Sequence, residues 1–226
     1  MAHEGVSVLI VDEHEHLATL NLDQGKSLYG ERLINVHGHE FRLWDPFRSK
    51  LAAALTKGLD FDLKPNTRVL YLGASTGTTV SHISDIVGIN GRIFAIESSS
   101  RVGRELIANV SSRRKNVIPI ITDARKPRSY FSIYDTIDMV YCDIAQPDQT
   151  EIAIDNCHVY LKQGGILLLV IKARSIDVTM DPRKVVKREI RKLEYDNFKN
   201  LQVVNLDPFD KDHAFVYARF SSDRPI

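Results

Sequence analysis

From Arg68 onward the chain alternates short, β-rich apolar runs with longer amphipathic stretches, and this alternation restricts the fold more than any other feature. The runs are RVLYLGA, GRIFAIES, NVIPIITD, IDMVYCDI and GILLLVIKA; between most of them lie TTVSHISDIVG, RVGRELIANVSSR and QTEIAIDNCHVYLKQG. Strands alternating with helices form βαβ units, so the expectation is a parallel sheet covered on both faces. A charged helix, PRKVVKREIRKLEYDN, follows, and then LQVVNL and HAFVYARF are separated only by DPFDKD. A connection that short makes a hairpin, so the last strand of a seven-stranded sheet should run antiparallel to its neighbours.

Upstream, VSVLIVDE, HLATLNLD and RLINVHGHEFRLW alternate apolar and polar residues around breaks at Asp23-Gln24-Gly25 and His37-Gly38. That pattern predicts a small antiparallel sheet. A helix fits PFRSKLAAALTKG, with Pro46 in its first turn and Gly58 at its end. The expected division is residues 1–56 for the small sheet and linking helix, and 57–226 for the larger domain. Across the 226 residues, 30 Lys and Arg stand against 29 Asp and Glu, so no global positive charge advertises nucleic acid. Basic residues do cluster locally at Arg113-Arg114-Lys115, at Arg125, Lys126 and Arg128, and along the helix from Arg183 to Lys192. Two cysteines, Cys142 and Cys157, make neither a disulfide framework nor a zinc site. The N-terminus has no basic segment before a long apolar stretch, and GGILLLVIKA is the longest apolar run, which predicts a cytoplasmic protein with no membrane partner.

The most informative segment is Gly73-Ala74-Ser75-Thr76-Gly77-Thr78-Thr79, where the first parallel strand meets its helix. Ligands of open α/β sheets bind outside the carboxyl ends of the strands. A dinucleotide fingerprint would need glycine where Ser75 and Thr78 stand. Gly73-Ala-Ser75-Thr-Gly77 also matches a hydrolase nucleophile elbow, with Asp143 and His213 in the expected later order, although no HGGG-type oxyanion loop accompanies it. The third reading is S-adenosylmethionine, whose methionyl part needs a glycine-lined turn. Glu97 ends the second strand about 20 residues on, placed to accept ribose hydroxyls, while Asp123 and Asp143 end the third and fourth.

FRLWDPFRSKLAAAL, VLYLGASTGTTVSHISDIVG, ITDARKP, CDIAQPDQ, GGILLLVIKARSID and DPFDKDHAFV together resemble the fibrillarin family in its compact archaeal form. The resemblance implies a class I S-adenosylmethionine-dependent methyltransferase fold, Rossmann-like, with an antiparallel last strand. It also implies an RNA ribose 2′-O-methyltransferase. The family pattern puts S-adenosyl-L-methionine against Gly73, Ala74, Thr78 and Thr79, against Glu97 and Ser98, against Asp123 and Ala124, and along Asp143, Ile144, Ala145 and Gln146. Ser98 stands where an aromatic residue would stack on adenine, so the apolar wall must come from elsewhere.

By the same resemblance, Lys50, Asp143, Lys172 and His213 form the catalytic constellation. Lys172 is expected to orient the 2′-hydroxyl and help remove its proton, with His213 in proton handling or substrate placement. A non-catalytic cofactor-binding subunit would have no need of all four. The implied partners are a box C/D guide RNA, target rRNA or tRNA, a coiled-coil scaffold protein and a kink-turn-binding ribosomal-type protein. In that setting base pairing supplies sequence specificity while the protein recognises the 2′-hydroxyl and backbone shape.

Overall fold

The computed structural model describes residues 4–61, 63–130 and 136–221. Four strands, β1 (Ser7–Val11), β2 (His14–Leu20), β3 (Leu33–Val36) and β4 (His39–Trp44), form an antiparallel sheet in the order β1-β2-β4-β3. Next come α1 (Lys50–Thr56), β5 (Arg68–Leu72), α2 (Thr78–Val87), β6 (Arg92–Glu97), α3 (Ser100–Leu106) and β7 (Val117–Ile121). The chain continues through β8 (Ile137–Cys142), α4 (Gln149–Tyr160), β9 (Leu161–Lys172), α5 (Ala173–Ile176), α6 (Pro182–Tyr195), β10 (Phe198–Asn205) and β11 (His213–Phe220). The second sheet runs β10-β11-β9-β8-β5-β6-β7; β11 is antiparallel to both neighbours, and β5 to β9 are mutually parallel.

Alternate residues of each central strand enter opposite cores. Val69 and Tyr71 of β5 pack with Val80 and Ile83 of α2 on one face, whereas Leu70 and Leu72 pack with Ile152 and Cys157 of α4 on the other. Burial on both faces is why these strands read as continuous apolar runs rather than alternating ones. Two local expectations shift. The first helix starts at Lys50, not near Pro46, because Asp45 closes a turn over Phe47 and Arg48 and the Ser49 hydroxyl caps the helix at Ala52 N–H. The helix read through Gly164 stops at Tyr160; residues from Leu161 join β9, whose register against β8 slips between Ile137 and Met139.

A sealed charge network joins the two sheets through α2. Asp85 accepts hydrogen bonds from Arg42 (2.7 Å), Arg114 (2.5 Å), the Thr19 hydroxyl (2.7 Å) and Leu22 N–H (3.1 Å). Arg42 also reaches Glu31 at 2.5 Å and Ser81 Oγ at 2.8 Å. His82 stacks on Trp44 with ring centroids 4.8 Å apart and lies between Thr19 Oγ1 and the Tyr29 hydroxyl. The Thr19 proton goes to Asp85, so His82 Nδ1 donates to Thr19 and Nε2 accepts from Tyr29. Burial first, then Arg42 and Arg114, holds the His82 pKa well below its ordinary value and keeps it neutral. Among the described residues, no helix is long and apolar enough to cross a membrane.

Candidate functional site

The strand order reverses between β5 and β8, and the glycine turn sits in that crevice. Gly73 has φ +82°, and a Cβ there would lie 2.7 Å from the Asp143 carbonyl oxygen and 2.9 Å from Ile144 Cγ2. Gly77 precedes α2 with φ +97°, and its Cβ would meet Val110 at 2.5 Å and Leu106 at 2.8 Å. Both glycines let the turn press between β8 and α3, as a positive φ without a side chain permits. Thr78 and Thr79, the first residues of α2, present backbone N–H groups that have no partner within the helix. The Thr79 hydroxyl is committed inward, 2.9 Å from Ser49 Oγ.

Glu97 braces this turn. Its Oε2 accepts from Ser75 N–H at 2.9 Å and its Oε1 from Ser99 N–H at 2.8 Å. Each oxygen keeps one lone pair, enough for two ribose hydroxyls. Ser98 beside it is exposed. Asp123 Oδ1 accepts from Arg125 N–H at 2.9 Å, while Oδ2 has only a long 3.8 Å approach to Arg125 Nη1 and can accept an amino group. Ala124 is buried below it, and its carbonyl is held by Asn156 Nδ2 at 2.9 Å. Ile144, Ala145 and Gln146 form the loop after β8, with Ile144 against the glycine turn and the Gln146 carbonyl accepting from Gln149 Nε2 at 2.9 Å. Free N–H groups, a carboxylate with spare lone pairs and a second free acceptor fit S-adenosylmethionine group by group.

The four expected catalytic residues come together at the same edge. Lys172, at the end of β9, places Nζ 2.7 Å from Asp143 Oδ1; Lys50, opening α1, places Nζ 3.2 Å from Asp143 Oδ2. Lys50 continues to Asp210 Oδ2 at 3.6 Å, and Asp210 Oδ1 lies 3.0 Å from His213 Nδ1. His213 and Lys172 are direct cross-strand neighbours in the β9–β11 pairing. The result is a ladder in which basic groups alternate with carboxylates, Lys172-Asp143-Lys50-Asp210-His213. Burial works against the Lys50 ammonium, but Asp143 and Asp210 outweigh it and raise its pKa. Gln149, fully buried, fixes the Lys172 end by accepting its backbone N–H at 3.1 Å. Asp210 and Gln149 were not singled out from the sequence, although Asp210 lies within DPFDKDH and Gln149 is the last residue of CDIAQPDQ.

The hydrolase reading of Ser75 fails on geometry. The His213 ring nitrogen Nδ1 faces Asp210 and the Lys211 carbonyl, and among the described residues no histidine hydrogen-bonds the Ser75 hydroxyl. The basic clusters are also less free than their sequence suggests. Arg114 is buried on Asp85, Arg113 pairs with Asp23, and Arg125 pairs with Asp148, because acidic neighbours from other segments fold over them. On α6, Arg188 and Lys192 share Glu189, leaving Lys184, Lys187 and Arg191 exposed.

Comparison with known proteins matches the fibrillarin family model over residues 1–222. The chain belongs to the fibrillarin family. A relative from Saccharolobus islandicus, a fibrillarin-like rRNA/tRNA 2′-O-methyltransferase, is 54% identical over 205 residues, covering 90% of this chain and 88% of its own. Aeropyrum pernix fibrillarin, solved with natively bound S-adenosyl-L-methionine, superposes with a TM-score of 0.87 at 47% identity, covering 95% of this chain and 94% of that one. A fibrillarin solved in complex with Nop5p gives a TM-score of 0.86 at 40% identity, covering 97% and 99%. The class I methyltransferase fold with its added N-terminal sheet is therefore the fibrillarin fold, and the glycine turn and ladder lie at the carboxyl edge of its parallel strands.

Proposed function

We propose that this fibrillarin transfers a methyl group from S-adenosylmethionine to ribose 2′-oxygens of rRNA, and of tRNA, at nucleotides chosen by a box C/D guide RNA. The observation that carries the reading is the meeting, at one sheet edge, of the Gly73–Thr79 turn and Glu97 with the Lys172-Asp143-Lys50 ladder. When bound, S-adenosylmethionine supplies a methyl group already activated on a sulfonium. The chain's own task is then alignment, the larger part of such a barrier.

Thr78 and Thr79 N–H groups hold the methionyl carboxylate, with Gly73 and Ala74 letting the backbone come close. Glu97 accepts the ribose hydroxyls beside Ser98, and Asp123 accepts the adenine amino group above Ala124. Asp143, Ile144, Ala145 and Gln146 line the remaining side. Lys172, paired with Asp143, donates to the attacking 2′-oxygen and orients it, and Lys50 anchors the other carboxylate oxygen. Target choice rests with partners, because a net charge of +1 gives little grip on RNA. A coiled-coil scaffold of the Nop5p kind would carry the enzyme, and a kink-turn-binding ribosomal-type protein would anchor the guide.

Calorimetric titration with S-adenosylhomocysteine, with NADH as the control, tests the cofactor half. Saturable binding that Glu97→Ala weakens by about 10-fold or more is expected, as for loss of charged hydrogen bonds. Methyl transfer to a single guided ribose in the assembled particle tests the rest. Equal transfer without guide RNA would defeat the assignment of target choice to base pairing.

A further inference from the structure

Forming the C–O bond and breaking the C–S bond releases the 2′-hydroxyl proton, and the ladder contains one group suited to receive it. Both lysines are paired with carboxylates, Lys172 with Asp143 and Lys50 with Asp143 and Asp210. An ammonium has no lone pair to accept a proton. The Asp143 carboxylate faces those two ammonium groups, one on each oxygen.

His213 differs. Its Nδ1 lies 2.7 Å from the Lys211 carbonyl oxygen and 3.0 Å from Asp210 Oδ1. Neither group can donate, so Nδ1 must carry the hydrogen, and the neutral ring keeps its one lone pair on Nε2. The side chain is 21% exposed, open enough for a substrate oxygen to approach.

We propose that Asp210 is a positioning residue: with the Lys211 carbonyl it holds His213 in the tautomer whose lone pair is on Nε2, and its carboxylate supports the imidazolium formed when Nε2 takes the ribose 2′-hydroxyl proton. This rests on the methyltransferase reading above. The methyl carbon moves from sulfur to O2′, the O–H electron pair stays on oxygen, the proton goes to Nε2, and His213 returns it to water after product leaves. Asp210 also ties Lys50 to His213, because its other oxygen faces Lys50 at 3.6 Å.

The turn that presents Asp210 is built for it. Phe209 N–H and Asp210 N–H both bond to the Leu206 carbonyl, and Phe209 packs edge-on against Phe47 with centroids 5.0 Å apart. The charged groups around His213 are Asp210 on its own turn, Lys172 across from it on β9, Lys50 on α1 and Asp143 after β8 through Asp210 and Lys172, and the Asp212–Arg174 pair beside β11. Among the described residues, only Asp210 brings a carboxylate to the ring nitrogen.

The test is the rate of single-turnover methyl transfer in the assembled guide particle, for wild type, Asp210→Asn and Asp210→Glu. In Asp210→Asn the rate should fall about 10-fold or more, because no carboxylate supports the imidazolium as it forms. KM for RNA and affinity for S-adenosylhomocysteine should not change, and Asp210→Glu should restore part of the rate. A wild-type rate in Asp210→Asn would overturn the proposal.

Nitrogen NMR of the wild-type chain gives a second reading that needs neither a variant nor turnover. The Nδ1–H tautomer of His213 is expected, and the Nε2–H tautomer would overturn the proposal even if Asp210→Asn fails to fold. A wild-type particle that binds S-adenosylhomocysteine yet methylates no guided ribose would defeat the methyltransferase reading instead, and the tautomer would still decide the placement of Asp210.

Discussion

The network around Asp85 and the ladder around Asp143 each set an aspartate between two basic side chains, yet they do opposite work. Arg42 and Asp85 side chains are wholly buried, whereas the ladder side chains are 14–34% exposed. Asp85 has donors on both oxygens from four different segments, so no partner can leave without stranding a buried charge. Such a network is a bolt: it fixes α2, and with it the glycine turn, against the N-terminal sheet. Ladder charges touch water, and a substrate oxygen can replace one of their partners at little penalty. Saturation with burial makes a scaffold; partial exposure with lone pairs left over makes a reacting edge.

The largest effect that would sharpen this contrast is on turnover. Lys172→Ala should lower methyl transfer by about 10²–10⁴-fold while S-adenosylhomocysteine still binds; full turnover would remove Lys172 from the reaction. Asp85→Ala should act on the other quantity, lowering unfolding free energy by about 3–5 kcal/mol because Arg42 and Arg114 lose their buried counter-charge. Urea denaturation measures it, and a loss below about 1 kcal/mol would mean that the network is not the bolt described. Gly73→Ala should be smaller, about 1–3 kcal/mol, from a left-handed φ and contact with the Asp143 carbonyl. It should also weaken cofactor binding, since the turn must move off β8.

A pH measurement separates the two regions further. Burial alone would raise the Glu31 pKa, but Arg42 and the N–H groups of Leu28 and Tyr29 outweigh it and bring it to about 2 from an ordinary 4.5. A depressed carboxyl contributes stability above its unfolded pKa and loses that contribution as pH falls through the folded one. Stability should therefore decline between pH 4.5 and about 2, and Glu31→Gln should flatten the decline. The smallest effect expected is none at all: burial pushes the Cys142 thiol up to about 12, so thiol reagents at neutral pH should leave methyl transfer intact.

Much of this molecule was legible along the chain. The seven strands, the antiparallel β11 and the small N-terminal sheet follow from local periodicity and connection length, because each depends on residues near one another in sequence. The strand-end acids and four of the five ladder residues were named from the sequence, the acids by their place at strand ends and the lysines and His213 through family motifs, and the fold brings those four to one edge. Helix ends were less readable: Ser49, not Pro46, starts α1, since a side-chain cap and an Asx turn compete there over a few residues.

The order of elements, the faces they bury and the family they belong to are therefore written along the chain. Which charges are sealed and which are free is a matter of packing in space. Arg114 reads as part of a basic patch beside Arg113 and Lys115, yet it is buried against Asp85, 29 positions away. Asp210 reads as one acid in an acidic turn, yet it stands between Lys50 and His213. Charge partners are chosen by proximity in space and by exclusion of water, and neither is written in the spacing of residues along a chain.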